Sequence, residues 1–357
     1  MRVLHVTEAM GGGIVAVIRS HIRRQRELGA DVVVVHTRRP DTPARDDLLE
    51  RLHGAEVIEL RTGSRRADLL KLARFVRTAA LSGDYDAIHL HSSFAGAIGR
   101  VVVARRRTPM FYSPHGFAFL RENTSRISRF GTRMLERALA KRSELILTSA
   151  TEVELARDML KARRAHLVDT GIDREEAESW GPAGAVHDRP IVAMVGRVVY
   201  QKAPWRFASV ARQLSHLAEF IWYGVAPHDP IDEWIGDAPV RLVGWLSPEE
   251  LDAELAKVDV LLFPSLWEGM PYALMMAQVR GIPAVVSDVV GNRDAVVHER
   301  TGIIASDDAA LRAGVERLLR DDQLRRRMAA EARATGLERL TDARLGEQTL
   351  AIYRGEY

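Results

Sequence analysis

Short β-branched runs alternate with stretches of helical period along almost the whole chain, and few folds accommodate that alternation. In the first half the runs fall at residues 3–7, 31–37, 87–91, 110–113, 145–148 and 166–168. Amphipathic stretches lie between them at 14–28, 69–81, 94–106, 127–141 and 152–160. A strand, a crossover helix and a second strand in succession pair in parallel, with helices covering both faces of the sheet. The second half repeats the pattern. Strands are predicted at 191–195, 219–223, 240–243, 258–263 and 284–287, and helices at 204–215, 248–255, 271–279 and 308–319. Residues 177–190 (AESWGPAGAVHDRP) read as a linker rich in Gly, Pro and polar side chains. The expected architecture is α/β: two doubly wound Rossmann-like domains, 1–176 and 191–340. Each has a crevice at the carboxyl ends of its strands, where the strand order reverses. A ligand held between two facing crevices is the natural expectation.

Composition removes several classes of function. The 357 residues include no Cys, which excludes disulfides, iron–sulfur clusters, thiolate zinc sites and cysteine nucleophiles. No apolar run approaches the roughly 18–20 residues of a membrane span, and the opening MRVLHVTEAMGGG reads as a strand entering a loop, not as a secretory leader. The formal charge of +3 is unevenly spread. Residues 1–170 carry 30 Lys and Arg against 19 Asp and Glu (+11), and residues 171–357 carry 21 against 29 (−8). A basic first half fits an anionic partner, whether nucleic acid, anionic lipid or phosphorylated ligands; a solvated arginine-rich surface is the plainer reading. Arg23, Arg24, Arg26, Arg65, Arg66, Arg105, Arg106 and Arg107 contribute to it.

Three loops carry candidate chemistry. Gly11-Gly12-Gly13 follows the first strand and opens a helix, where glycine lets backbone N–H groups approach a phosphate. Its spacing is not that of a dinucleotide fingerprint, and a tight turn explains it equally well. Val195-Gly196-Arg197 through Lys202 leaves the first strand of the second half. A planar guanidinium and a point charge on one loop suit a diphosphate, or are simply two solvated cations. Pro264 through Pro271 follows a buried strand. Here Pro271 fits the first position of a helix that ends at Gly281, and the helix N-terminus offers donors to an anion. Glu268 stands before that helix, placed to accept hydrogen bonds from sugar hydroxyls or to cap the helix. His115 ends a first-half strand; His89 and His91 share one face of another. No third ligand is spaced to complete a metal site with that pair, so it is read as polar crevice lining. No P-loop, nucleophile elbow or hydrolytic acid pair is present.

These loops, in this order, resemble the retaining glycosyltransferases of family 4, which have the GT-B fold of two Rossmann-like domains facing each other across a cleft. The matching segments are GGG at 11–13, HLHSSFAG at 89–96, SPHGF at 113–117, GRVVYQK at 196–202 and FPSLWEGMPYALMMAQVRGIPAVVSD at 263–288. The segment 341–357 looks like the family's terminal helix, which crosses back to the first domain. The resemblance is closest to bacterial enzymes that build surface polysaccharides or glycolipids.

It implies a metal-independent transfer from a nucleotide-sugar donor, UDP- or GDP-linked, to a glycan or polyprenyl-diphosphate-linked acceptor, with no cofactor and no nucleic acid. Such an enzyme works in the cytoplasm or peripherally on the inner face of the plasma membrane. By the resemblance, Arg197 and Lys202 hold the donor diphosphate beside Gly196, and Glu268 bonds donor-sugar hydroxyls. The backbone at Gly269, Met270 and Pro271 lies against sugar and phosphate. Gly12 and Gly13 close over the diphosphate, and His115 stands beside the donor sugar. The chain departs from the family at Met276, where a second glutamate ordinarily accepts hydrogen bonds from the ribose, and at Ala203, where Gly is usual. Loss of the ribose contacts motivates an alternative: a catalytically weak relative acting as a sugar-binding or partner subunit.

Overall fold

In the computed structural model the described residues are all except 9, 40–41, 104–106 and 184–187. They form two compact units. The first contains residues 1–120, 124–171 and 342–357; the second contains 121–123 and 172–341.

The first unit is built on seven strands: β1 (Arg2–Thr7), β2 (Asp31–Thr37), β3 (Glu56–Leu60), β4 (Ala87–His91), β5 (Met110–Ser113), β6 (Glu144–Leu147) and β7 (Ala165–Leu167). All pair in parallel in the order β3-β2-β1-β4-β5-β6-β7. The order reverses between β1 and β4, so the loops after those two strands border the switch point. Buried Val, Leu and Ile side chains fill both faces of the sheet, as parallel strands require.

The second unit has six parallel strands: β8 (Ile191–Val195), β9 (Glu219–Tyr223), β10 (Val240–Val243), β11 (Val260–Phe263), β12 (Ala284–Ser287) and β13 (Gly302–Ala305). Their order is β10-β9-β8-β11-β12-β13, with the switch point between β8 and β11. Both units are Rossmann-like, as the alternation predicts. No helix among the described residues is long and apolar enough to cross a membrane.

The differences from expectation have local causes. Strands β3 and β13 went unpredicted, since both are edge strands with weak signals: EVIEL alternates with acids and GIIA is only four residues long. The helix Asp322–Arg339 was missed because its buried face is partly small or polar, at Leu324, Met328, Ala332, Thr335 and Gly336. Gly336 permits that packing, since a Cβ there would stand 2.8 Å from the Gln278 backbone. The expected helix 94–106 is observed as Ser93–Val102, and Arg105 and Arg106 lie outside the described residues. In the expected linker, Ala177–Ser179 ends the helix Arg174–Ser179, whose Ala177 is buried, and 184–187 lie outside the described residues. Pro271 is the N-cap of the helix Tyr272–Val279 and not its first residue.

The last helix, Leu345–Arg354, packs on the helix Gly13–Glu27 of the first unit. An ion-pair cluster fixes the approach to it. Asp342, fully buried, accepts from Arg23 Nη2 at 3.1 and 3.2 Å and from Arg24 Nη2 at 2.9 Å. A buried carboxylate of this kind is favourable only while its partners stay in place. Asp342→Ala leaves two largely buried guanidinium groups without it and should cost the first unit about 3 kcal/mol or more. Urea unfolding followed by far-ultraviolet circular dichroism checks this; a loss below about 1 kcal/mol would mean that the cluster only decorates the surface.

Candidate active site

In the second unit two loops meet at the switch point. Strand β8 ends in Gly196, whose φ of +143° only glycine adopts readily. The Gly196 N–H donates to the Tyr223 carbonyl at 2.9 Å, and its own carbonyl accepts from Trp222 Nε1 at 2.7 Å. The loop then makes a short 3-10 turn at Tyr200–Lys202. Ala203 closes the turn at φ +48°, in the left-handed region that favours glycine. This is the backbone reason for the glycine usual at that position in the family resembled. Pro204 starts the following helix, where its missing N–H costs nothing.

The Lys202 side chain crosses to the loop after β11 and donates from Nζ to Glu268 Oε1 at 2.7 Å. Its ammonium also lies 4.4 Å from the centre of the Phe263 ring. Gln201 supports the same carboxylate, donating from Nε2 to Glu268 Oε2 at 3.2 Å and to the Trp267 carbonyl at 2.8 Å. The Leu266 N–H donates in turn to the Gln201 carbonyl at 2.8 Å. Gln201 was not singled out from the sequence, and only its place next to Lys202 could have pointed to it. Glu268 is buried, Lys202 is half-buried and Arg197 is exposed on the same loop.

Around Glu268 the backbone is packed tightly. A side chain at Gly291 would run into the Gly269 carbonyl, so the loop after β12 lies directly on the 269–270 peptide. Ser287 Oγ donates to the Ser265 carbonyl, and Asn292 Nδ2 donates to the Ser287 carbonyl at 3.1 Å, tying the β11 and β12 loops together. Gly269 and Pro271 are buried here and Met270 is half-buried. Met276 packs within the apolar core of the unit, with 8% of its surface exposed. The switch point thus holds a cation and a carboxylate side by side, next to a helix N-terminus that attracts anions.

Gly12, Gly13 and His115 belong to the first unit. Gly12 is the N-cap of the helix Gly13–Glu27 at φ +57° and ψ −141°, a backbone state that a side chain disfavours. His115 also has positive φ, +52°, in a turn secured by the Gly116 N–H on Glu152 Oε1 at 3.1 Å.

Behind His115 lies a polar interior that the sequence did not disclose. His5, His21, His89 and His91 are completely buried, so the pair at 89 and 91 does not line a crevice. The expectation that no third ligand accompanies that pair also fails: His5, on the neighbouring strand β1, offers a ring nitrogen within 4.8 Å of theirs. All three rings are already engaged in hydrogen bonds.

The direction of those bonds follows from their ends. Thr349 gives its hydroxyl proton to the Leu345 carbonyl at 2.8 Å, so its oxygen must accept from Gln25 Nε2 at 3.1 Å. Gln25 Oε1 then accepts from His5 Nε2–H at 2.9 Å. His5 Nδ1 accepts from His91 Nε2–H at 2.8 Å, and His91 Nδ1 accepts from His115 Nε2–H at 2.9 Å. The chain therefore holds His115 with its Nε2 proton pointing inward and its Nδ1 lone pair as the outer end. A second branch agrees. Ser113 donates to the Ile146 carbonyl at 2.6 Å and accepts from His89 Nε2–H at 2.8 Å, while His89 Nδ1 accepts from Tyr353 OH at 2.7 Å. Each assignment uses one proton per bond and leaves every linked ring neutral.

Burial enforces that neutrality. It pushes His5 and His115 down to about 4 and holds His21, His89 and His91 well below the ordinary histidine range. His21 lies among these rings with neither nitrogen hydrogen-bonded.

The profile of Glycosyltransferase Family 4 matches residues 11–176, and that of Glycosyl transferases group 1 matches residues 189–321. Among characterised proteins, the chain is 28% identical over 247 residues, 62% of each sequence, to the UDP-Gal:alpha-D-GlcNAc-diphosphoundecaprenol alpha-1,3-galactosyltransferase of Escherichia coli. Over 325 residues, 87% of each sequence, it is 24% identical to a 41.2 kDa protein of unassigned activity in the cps region of Klebsiella pneumoniae. Among solved structures, the sucrose-phosphate synthase of Thermosynechococcus elongatus superposes with a TM-score of 0.81 at 19% identity, covering 99% of this chain and 98% of that one. The Anabaena protein HepE in complex with UDP and glucose gives 0.78 at 17% identity, covering 99% and 100%.

The histidine interior makes a pH prediction. Unfolded, each imidazole takes up a proton near pH 6.5; folded, His5, His21, His89 and His91 resist it. Their folded values are depressed, so the stability they protect is complete above about pH 6.5 and is lost as pH falls. Each contributes a slope of up to about 1.4 kcal/mol per pH unit, and the four together about 5–6. Urea midpoints should drop steeply between about pH 6.5 and 5, and His21→Leu should make the drop shallower by about one proton. A midpoint flat across that window would contradict the buried neutral network.

Proposed function

The chain belongs to the glycosyltransferases of family 4, and from that premise we propose a specific reaction. It moves a sugar from a UDP- or GDP-sugar to a lipid-linked or glycan acceptor during assembly of a bacterial surface polysaccharide or glycolipid, with retention at the anomeric carbon and without a metal. The pairing of Lys202 with Glu268 at the second unit's switch point carries the reading. A diphosphate donor needs a cation for its leaving charge and a carboxylate for its sugar hydroxyls, and these stand 2.7 Å apart on neighbouring loops. The E. coli relative is named for a diphosphoundecaprenol acceptor, and so is a Campylobacter jejuni relative 27% identical over 172 residues. Structures of HepE are described in complex with UDP and with UDP-glucose. These names support a nucleotide donor and a polyprenyl-linked acceptor here. No observation favours the alternative of a sugar-binding partner subunit.

The residues divide the work. Lys202 and Arg197 neutralise the diphosphate as the bond from the anomeric carbon to its oxygen breaks. The N–H groups at the start of the helix Tyr272–Val279 add partial positive charge. Glu268, oriented by Gln201, accepts hydrogen bonds from the sugar. Gly12 and Gly13 let backbone approach the phosphates, and His115 presents its Nδ1 lone pair to a sugar hydroxyl. The acceptor oxygen attacks on the face that the diphosphate leaves, and its proton passes to a donor phosphate oxygen. That step asks for no protein base.

Two measurements test this assignment. Lys202→Ala should lower turnover about 100-fold or more, the few kcal/mol typical of one transition-state charge contact. Steady-state assay with a UDP- or GDP-sugar decides it, and wild-type turnover removes Lys202 from the mechanism. Met276→Glu restores a carboxylate where the ribose partner usually stands and should tighten binding of the nucleoside diphosphate in calorimetry. Melting temperature is followed alongside, because that carboxylate enters a mostly apolar surrounding; unchanged or weaker binding assigns the ribose to another group.

A further inference from the structure

The two branches of buried hydrogen bonds in the first unit have one residue in common. Gln25, fully buried on the helix Gly13–Glu27, turns one end of its amide to His5 and the other to the last helix. Its Nε2 lies 3.1 Å from Thr349 Oγ1 and 3.3 Å from Tyr353 OH, and its Oε1 lies 2.9 Å from His5 Nε2. Both hydroxyl protons are committed elsewhere. Thr349 gives its proton to the Leu345 carbonyl. Tyr353 gives its own to His89 Nδ1, because the His89 proton sits on Nε2 and goes to Ser113, which in turn donates to the Ile146 carbonyl. Each hydroxyl oxygen can therefore only accept, and the amide has two N–H donors at one end for the two of them. Two backbone carbonyls, of Leu345 and Ile146, thus fix the same amide orientation by separate routes.

Imidazole alone carries no such preference. In the row His5, His91, His115 each ring has one donor and one acceptor, so the row is equally complete with every proton moved to the opposite nitrogen. In that reversed row His5 donates from Nδ1 to His91, His91 donates from Nδ1 to His115 Nε2, and His115 presents an N–H outward in place of a lone pair. The rings cannot choose between the two directions, so the group at the inner end decides. Turning the amide to suit the reversed row would set Gln25 Oε1 against two oxygens that have no proton to give.

We infer that Gln25 is a positioning residue for His115: through His5 and His91 it holds the His115 proton on Nε2 and so keeps an acceptor, Nδ1, turned to the donor sugar. The sugar contact rests on the proposed function, whereas the tautomer does not. An amide, unlike a carboxylate, has no use for a second proton. The row therefore orients His115 without making it a base, in keeping with a transfer whose proton goes to a donor phosphate oxygen.

Long-range proton–nitrogen spectra of the full chain, with 15N-labelled histidine, read the tautomer of each ring, and the difference spectrum of H115Q assigns His115. Wild type should show His115 as the Nε2–H tautomer alone. In Q25M, His5 loses its acceptor and nothing selects a direction, so a clear Nδ1–H population should appear at His115. Q25E keeps an acceptor for His5 Nε2–H and should retain the wild-type tautomer even where it lowers the melting temperature, a separation that a purely packing role would not produce. Binding should divide the same way. Q25M should weaken the nucleotide sugar that wild type uses about fivefold, the worth of one neutral hydrogen bond, with affinity for its nucleoside diphosphate unchanged. The inference is overturned if wild-type His115 carries its proton on Nδ1, if Q25M leaves the wild-type tautomer in place, or if Q25E gives the Q25M spectrum. The wild-type spectrum decides the first of these even if neither variant folds. A tautomer that responds to Gln25 while sugar affinity stays put, or a wild type inactive with every UDP- and GDP-sugar, defeats the part of His115 in the proposed function and leaves the positioning standing.

Discussion

Parallel pairing of every strand is the constraint on which the rest of this protein depends. In a parallel sheet all strand carboxyl ends emerge on one edge, and every loop that follows a strand is delivered there. That edge therefore collects side chains far apart in sequence. Lys202 and Glu268 meet because β8 and β11 are neighbours at the reversal of strand order, although 66 residues separate them. The Gly12 and His91 loops come together at the corresponding reversal between β1 and β4. The apolar strands determine where the polar groups stand; the loops determine only which groups they are.

The first unit departs from the usual economy of such a sheet. Where β1 and β4 run side by side, histidine replaces aliphatic side chains, and one directional set of hydrogen bonds runs from His115 to the last helix. Buried polar groups are costly when unpaired and specific when paired. The linked rings His5, His89 and His91 have both nitrogens paired, while His21 beside them has neither. A network of this kind resists small rearrangements because reversing one ring would leave both of its neighbours without a partner. It gives His115 a single tautomer without a charged residue behind it.

Much of this was legible in the sequence, for identifiable reasons. The central strands are continuous apolar runs, and the helices between them carry a full apolar stripe, so both periods stand out. The edge strands β3 and β13, and the helix Asp322–Arg339 with its small-residue face, carry weaker patterns and were invisible. Arg197, Lys202 and Glu268 were found because loops after buried strands are where charge is informative. The contact between Lys202 and Glu268 was not legible, nor was the part of Gln201, because both require knowing that β8 and β11 are adjacent. The histidine interior was half legible. The two-residue spacing of His89 and His91 gave one face of one strand, but nothing local linked them to His5, Gln25 or Tyr353.

The last helix gives synthesis an order of events. Gln25 and His89 are satisfied by Thr349 and Tyr353, and Arg23 and Arg24 by Asp342, so the first unit needs residues that are translated only after the second. Residues 172–341 are translated in between. At elongation rates of about 5–20 residues per second, that interval lasts roughly ten to thirty seconds. For that time the nascent first unit has its sheet but lacks the partners of its buried polar groups. A premature stop anywhere in the second unit would therefore also leave the first unit unfinished, and such fragments are natural substrates for proteolytic quality control.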